Sequence, residues 1–544
     1  MIDVRPSAGA LEQYYREGAW RRETIGELIA RQVSTHAGKP AIKDNTGNSL
    51  TYGELEDNAA RLSAFLAARN VGRGDVITMQ LPNCCEVGVV MYAAYKLGAV
   101  IHPVPITYGR TDLEYGIRKC KSKVAVIAGC FRNVDHAGIL DRIIQDGDMD
   151  LLGIVVGEGS VKGGVGYDEA LSTPRLADGP VCYSDDPAVV LFTSGTESRP
   201  KGVVHTHNTI LFGERVLAER LGLTCNDVCF MASPLNHTTG YTHGLVLNLS
   251  TGATLTVLDR FTGTNAVEIM AADRATWTMG ATVFLGDTVK VLESAAQRLP
   301  SLRYFLCGGA PLLEGVVRRA QDAGIRVLPI YGSTESSPHT LLSPDAPLSA
   351  SWEVDGQTFP GIDVKIVDDH GASLPPGFPG EECSRGPNLF LGYLDEPALT
   401  ARTIDAEGWY HSGDLATHDG SGAIKIVGRI KDVIIRGGQN ISVREIEDLL
   451  DSHPDIHEAA IVGIPDERLG ESMAAALVMK SGAAPLDIDG LSTFLLNRGT
   501  SKFKLPQRIV VLEELPRTPS GKIQKYLIKK KLGEMPAGEL SSSM

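Results

Sequence analysis

The residues best suited to chemistry lie between positions 191 and 209, LFTSGTESRPKGVVHTHNT. An apolar run ends in small hydroxyl residues and glycine, followed by Pro200, Lys201 and Gly202. Thr193, Ser194, Gly195 and Thr196 can offer hydroxyls and backbone N–H groups to phosphate oxygens, with Lys201 as a point charge. The order is not that of the GxxxxGK(S/T) nucleotide loop, and a polar surface turn is the plain alternative. Five further segments carry candidate groups: CGGAP at 307–311, YGSTES at 331–336, GWYHSGD at 408–414, GRIKDVIIRGGQNIS at 428–442 and PRTPSGKIQK at 516–525. Each alone has an ordinary structural explanation. Glu335 could be an acid at a helix start beside Ser333 and Thr334, and Tyr331 a packed aromatic. Asp414 could serve a turn, Gly437 and Gly438 a hairpin, and Lys522 a solvated lysine face running through KIQKYLIKKK.

Taken together and in this order, the segments resemble the adenylate-forming superfamily of acyl-CoA synthetases, luciferases and peptide-synthetase adenylation domains, over about Thr51 to Lys525. TMGATVFL, FLCGGAP and YGSTESSPH look closest to short- and medium-chain acyl-CoA synthetases and cyclohexanecarboxylate–CoA ligases. The resemblance implies a ligase that joins a carboxylic acid to Mg-ATP as acyl-AMP, releasing pyrophosphate, and then passes the acyl group to coenzyme A. A carboxylate is a poor electrophile and needs AMP as leaving group. Its attack on the α-phosphorus joins two anions in line, so positioning and charge neutralisation dominate.

Residue by residue, the resemblance implies the following roles. Thr193 to Lys201 hold the departing pyrophosphate, and Glu335, with Thr196, holds Mg²⁺, a hard cation suited to oxygen ligands. Tyr331 stacks on adenine, while Gly308, Gly309, Ala310 and Pro311 let backbone approach the ring, and Gly332, Ser333 and Thr334 complete the nucleotide site. Asp414 accepts hydrogen bonds from the ribose diol, with Arg429 nearby. Lys522 is the catalytic lysine bridging the substrate carboxylate and α-phosphate; Lys431 is the hinge residue, and Gly437 and Gly438 line the thiol tunnel. Two departures stand out: Glu197 and Ser198 replace the usual pair in TSGTTGxPKG, and Gln439 replaces a frequent glutamate.

The acyl pocket is expected from PLNHTTG at 234–240, TMGATVF at 278–284, Gly308 and Gly332. An amino-acid substrate would need an acid for its ammonium, and none occurs from Ser233 to Gly240, which favours an apolar acid. His237 is expected to gate the pocket and take part in catalysis, a packed core histidine being the alternative. Two other readings share these motifs. One is an enzyme that stops at the adenylate or loads an acyl-carrier protein. The other is a non-catalytic adenylate-binding protein, against which Glu335, Asp414 and Lys522 argue by their presence together.

These groups need a frame. LTYGELEDNAARLSAFLAARNV from Leu50 reads as an amphipathic helix. Short apolar runs at DVITMQLP, AVIHPVP, KVAVIAG, GIVVGE and AVVLFTSG, and again between 254 and 330, alternate with helical patterns, as in βαβ units. From about Gly361, GIDVKIVDD, EECSRGP and AIKIVGRI predict a small antiparallel, barrel-like unit; beyond Lys431 the rhythm is α+β. The expected fold is α/β: a large N-terminal domain of parallel βα sheets with a small β-barrel-like subdomain over 1–428, a hinge at 429–432, and a small mobile domain over 433–544. The 544 residues are 43% hydrophobic, enough for several cores, and the net charge of −14 argues against a nucleic-acid partner. Nine cysteines without a CxxC pair, and no apolar leader, predict a cytoplasmic enzyme. The apolar stretch from Val87 is interrupted by Lys96, Pro103 and Pro105, so a buried helix leading into a strand is expected there, not a membrane span.

Overall fold

The computed structural model describes residues 8–147, 149–175, 182–193, 200–310, 312–436, 439–466, 470–484, 486–498, 500–518 and 521–534. These fall into two compact units. One comprises the chain up to Thr193 with 200–363 and 384–410; the other comprises 364–383 and the chain from His411 onward. The strand Ile424–Arg429, and Tyr410–His418 beyond its first residue, thus cluster with the C-terminal residues.

The first unit contains two large sheets. In the eight-stranded one, Val76–Gln80, Val100–Pro103, Val124–Ala128 and Leu152–Val156 run parallel with helices between them. Both faces of such a sheet are covered, so its strands are mostly apolar; every residue of Val76–Gln80 and Val124–Ala128 is buried, the polar Thr78 and Gln80 included. The helix read from Leu50 runs over Tyr52–Ala67. Thr51 and Glu54 form a capping box at its start, each satisfying a backbone donor that the first turn leaves open. The stretch from Val87 forms the buried helix Cys85–Leu97. It ends at Gly98, whose φ of 67° puts it in the left-handed region, and the strand Val100–Pro103 follows. Among the described residues no helix is long and apolar enough to cross a membrane.

The nine-stranded sheet sets the site. Val228–Met231, Trp277–Gly280, Tyr304–Cys307 and Val327–Tyr331 are consecutive parallel neighbours. Leu285, Val289, Phe305, Val317 and Val327 pack behind them in one core. Parallel order sends the segments after these strands to one sheet edge, and those segments are PLNHTTG, the ATVF start of a helix, GGAP and GSTES. The carboxyl edge of an open α/β sheet is where such folds bind ligands.

The second unit has a four-stranded sheet including Gly380–Arg385, Tyr410–His418 and Ile424–Arg429, the last two antiparallel. Beyond it, Val433–Arg436, Gln439–Ser442, Ile456–Asp466, Gly470–Met479 and Arg508–Val511 form another sheet. Helices Val443–Leu450 and Ile488–Leu496 pack with it around Ile446, Ile461, Met473 and Leu491. The helix Lys525–Glu534 covers a second cluster with Ile528 and Leu532.

Candidate active site

The residues expected to meet phosphate stand at the mouth of a hairpin. Pro187–Thr193 pairs antiparallel with Lys201–Thr206, with Thr193 opposite Lys201. Ser194, Gly195 and Thr196 lie outside the described residues, as do Glu197 and Ser198. Gly392–Tyr393 adds to the hairpin as a third strand, with Tyr393 opposite Val203. Side chains two apart on a strand share a face. Lys201 is therefore the diagonal neighbour of Tyr393, and its Nζ lies 5.2 Å from the ring centroid. The Tyr393 hydroxyl donates to Glu335 Oε1 at 2.8 Å. Burial first, and the Glu335 carboxylate second, push this phenol far above its ordinary pKa, so it remains a donor.

Glu335 heads no helix. After Tyr331 the chain runs through a loop to the short strand Thr340–Leu341, and this loop is tied on every side. Ser333 N–H donates to Ser336 O at 2.9 Å, and His339 N–H to Tyr331 O at 2.8 Å. Phe390 N–H donates to Glu335 O at 2.8 Å. Ser333 Oγ donates to the Tyr410 hydroxyl at 3.2 Å, and Thr238 Oγ1 to Thr334 Oγ1 at 3.1 Å. From beneath, His205 Nε2 donates to Thr334 O at 2.7 Å while its Nδ1 accepts from Thr209 Oγ1 at 3.0 Å. Complete burial pulls this imidazole down to about 4, which keeps it neutral and fixes those roles. Gly332 has little room for a side chain, since a Cβ there would meet Ser336 O at 3.2 Å.

The neighbouring strand ends complete the edge. Tyr331 is half-buried, its ring edge-on to His339 at 5.1 Å, so it is no fully packed core aromatic. Gly308 lies against Ile330, where a Cβ would come within 2.7 Å of the carbonyl oxygen. Gly309 takes φ +82° and Ala310 is exposed; Pro311 lies outside the described residues. His237 is half-buried in the turn that opens the π-helix Thr239–Val246, its carbonyl accepting Tyr241 N–H at 2.8 Å. π-helical turns are rare and concentrate at functional sites. Behind this helix, His243 Nδ1 donates to the Glu214 carboxylate at 3.0 Å and Nε2 lies 3.0 Å from Ser337 Oγ.

In the second unit, Asp414 sits directly across its strand pair from Arg429, with the guanidinium Nε 2.8 Å from Oδ1. The carboxylate is almost fully covered and the arginine exposed. Glu381 braces this turn: its Oε1 accepts Gly413 N–H at 3.2 Å, and Oε2 lies 2.8 Å from His411 Nδ1. With Cys383 these two residues bring a carboxylate, a thiol and an imidazole within 4.8 Å of one another, already hydrogen-bonded among themselves. Lys431 falls in the 3₁₀ turn Ile430–Asp432. Gly437 and Gly438 lie outside the described residues, between strands that pair with Arg436 opposite Gln439.

Lys522 is exposed on a short, locally bonded turn. Thr518 N–H donates to Lys522 O at 2.8 Å, Lys522 N–H to Thr518 Oγ1 at 3.1 Å, and Arg517 bridges Ile523. Arg517 fastens this turn to the unit through Glu458 at 2.7 Å. Lys525, three residues on, pairs with Glu447 at 2.9 Å.

The sequence reading did not single out Tyr393, His205, Tyr410 or the Glu214–His243 pair. His205 and Tyr410 fall within the segments 191–209 and 408–414, but no spacing there marks them out, and LFLGYLDEP around Tyr393 carries none either. Only pairing across the fold brings them to the loop.

The family model for AMP-binding enzymes matches residues 29–394, and that for the AMP-binding enzyme C-terminal domain matches 445–522. The chain is 41% identical to a medium-chain fatty-acid–CoA ligase of Escherichia coli (strain K12), over 95% of this chain and 92% of that one. It is 31% identical to the 3-[(3aS,4S,7aS)-7a-methyl-1,5-dioxo-octahydro-1H-inden-4-yl]propanoyl:CoA ligase of Rhodococcus jostii (strain RHA1), over 88% and 93%. Among solved structures, ATP-bound MatB from Rhodopseudomonas palustris superposes with a TM-score of 0.83 at 27% identity, covering 94% of this chain and 99% of that one. The parallel α/β architecture and these matches along nearly the whole length establish that the chain belongs to the AMP-binding enzyme family.

Proposed function

We propose that the protein is an AMP-forming acid–CoA ligase that takes an apolar carboxylic acid, medium-chain, alicyclic or polycyclic. It consumes Mg-ATP to form acyl-AMP and pyrophosphate, then transfers the acyl group to coenzyme A. The observation that carries this reading is the strand-end edge itself. A half-buried carboxylate, Glu335, is joined through Tyr393 to the Lys201 ammonium, beside a turn from Ser233 to Gly240 that contains no acid. The two ligases compared above are named for acids without an ammonium group, which agrees with that turn.

Roles follow from placement. Lys201 and Thr193 face pyrophosphate from the hairpin mouth, with Ser194, Gly195 and Thr196 between them in the chain. Tyr331, Gly309 and Ala310 take adenine, and Gly332, Ser333 and Thr334 hold the phosphate-side backbone. Glu335 suits Mg²⁺: its Oε1 is engaged by one hydroxyl, and a carboxylate has further lone pairs for a hard cation. The cation neutralises charge on the triphosphate. Asp414, braced by Arg429, accepts the ribose hydroxyls, and His237 gates the acyl pocket. Lys522 stabilises charge as the carboxylate attacks phosphorus. We assign residues 1–428 to the large domain and 433–544 to a mobile one that turns about Lys431, within 429–432, so that Gly437 and Gly438 border the path of the thiol. We place the enzyme in the cytoplasm, because all nine cysteines are free thiols.

The test is pyrophosphate release across a panel of acids, with and without coenzyme A, and with products identified by mass. Medium-chain and alicyclic acids should give acyl-CoA. Amino acids as the sole substrates, or an acyl-adenylate that persists with coenzyme A present, would overturn the reading.

A further inference from the structure

We propose that Tyr393 is a positioning residue for nucleotide activation: its hydroxyl holds the Glu335 carboxylate in the orientation that receives Mg-ATP, while its ring seats the Lys201 ammonium. The inference rests on the assignment of Glu335 to the metal. It adds a residue that ties the two opposite charges of the site into one rigid piece.

The geometry leaves Tyr393 few other orientations. It is a buried strand residue, 4% exposed, paired with the hairpin through Val203. Leu391 N–H donates to Val204 O at 2.9 Å on one side and Leu394 N–H to Gly202 O at 2.8 Å on the other. Tyr393 N–H itself donates to Thr400 Oγ1 at 2.9 Å. Phe390 packs on the ring at 4.9 Å, tilted at 64°. The backbone N–H of the same Phe390 holds the Glu335 carbonyl. The segment therefore grips Glu335 twice, by main chain and by side chain. A phenol that donates to a carboxylate becomes richer in electrons, and a richer ring face attracts a cation more strongly. Glu335 and Lys201 thus reinforce one another through the ring without touching. An unrestrained carboxylate and ammonium could instead close on each other and leave both phosphate and metal unserved.

The test separates the hydroxyl from the ring. Tyr393→Phe keeps the ring and its packing, and Glu335→Gln removes the carboxylate charge. Mg-ATP binding is measured by calorimetry without acid, and Mn²⁺ occupancy with ATP by electron paramagnetic resonance, at matched thermal unfolding midpoints. Tyr393→Phe should weaken Mg-ATP binding roughly tenfold, the scale of a hydrogen bond to a charged group. ATP binding without divalent cation should change less than about twofold. The double variant should bind no more weakly than Glu335→Gln alone, because the tyrosine acts through that carboxylate. If Glu335→Gln binds Mg-ATP like the parent, the metal assignment itself falls. If Glu335→Gln is weakened while Tyr393→Phe is not, or if the two losses add in full, only the positioning role of Tyr393 is overturned.

Discussion

The loop from Tyr331 to His339 and the turn from Pro516 to Gln524 are held by opposite means. The first is bonded from far away in sequence, by His205, Thr238, Phe390, Tyr393 and Tyr410, with Glu335 and Tyr393 separated by 58 positions and His205 and Thr334 by 129. The second closes on itself through Thr518, Gly521 and Lys522, with Arg517 as its anchor to the rest of its unit. A site that must stabilise developing charge without reorganising needs the first kind of support. The lysine that we propose moves with its domain is carried on the second, whose main-chain bonds are local.

The contrast is tested most severely at Lys522 itself. Lys522→Ala should lower acyl-adenylate formation by about 10²–10³-fold, the scale of removing one charge-stabilising donor. Transfer from preformed acyl-AMP to coenzyme A should change by no more than a few-fold. The thermal unfolding midpoint should not move, because the side chain is exposed on its turn. Single-turnover pyrophosphate release and coenzyme A consumption measure the two half-reactions separately. Equal losses in both would break the assignment of the turn to one of them.

The tied loop should fail through its packing. At Gly213 a Cβ would come within 2.5 Å of Ser337 O and 3.0 Å of Pro338 Cδ, the first of these being backbone that cannot rotate away. Gly213→Ala should therefore cost about 1–3 kcal/mol of stability, as overpacked positions do, and should impair both half-reactions. Calorimetric unfolding alongside Mg-ATP titration would show it. A variant as stable and active as the parent would mean that the loop yields more readily than its bonds suggest.

A subtler difference lies in pH. His205 has its folded pKa depressed to about 4, against an ordinary value near 6.5. Between those values the unfolded chain binds more protons, so the stability this residue contributes is complete above about pH 6.5 and is lost as pH falls toward 4. His207, also drawn down to about 4, and His102, to about 3, act in the same sense. His205→Leu should shift the pH dependence of stability in this window by about one proton, read as the slope of unfolding free energy against pH. An unchanged slope would show that this imidazole titrates normally.

The same contrast explains what was legible before folding. The short, largely apolar runs, such as those of Val76–Gln80 and Val124–Ala128, announce buried parallel strands, and the Thr51–Glu54 spacing marks its helix start. The turn bearing Lys522 is readable because its bonds are local and its Pro, Ser and Gly residues are contiguous. The loop bearing Glu335 could be located, but its supports could not be. Tyr393 stands in an apolar stretch, and its hydroxyl acquires a purpose only when sheet register places it over the hairpin. Likewise His205 looks like one more residue of an apolar strand until its ring is found under Thr334. The grouping of 364–383 with the chain beyond His411 was equally hidden, since it shows only once Gly380–Arg385 joins the sheet of Tyr410–His418.

The smallest expected effect probes the anchor of the exposed turn. Arg517 reaches Glu458 at 2.7 Å and the Gly521 carbonyl at 2.7 Å, with both charged side chains about a quarter to a third exposed. A pair of that exposure contributes little to stability, about 0–1 kcal/mol, so Arg517→Gln should barely move the unfolding midpoint. The main-chain bonds from Thr518 and Gln524 remain to close the turn. What changes is how firmly the turn is fastened, and hence how often Lys522 is aimed correctly. Adenylation should slow by roughly two- to fivefold, a partial loss of orientation well short of removing a donor, while the Mg-ATP affinity of the other unit stays unchanged. A loss as large as that of Lys522→Ala would mean that the turn depends on a distant anchor after all, and the distinction between the two supports would dissolve.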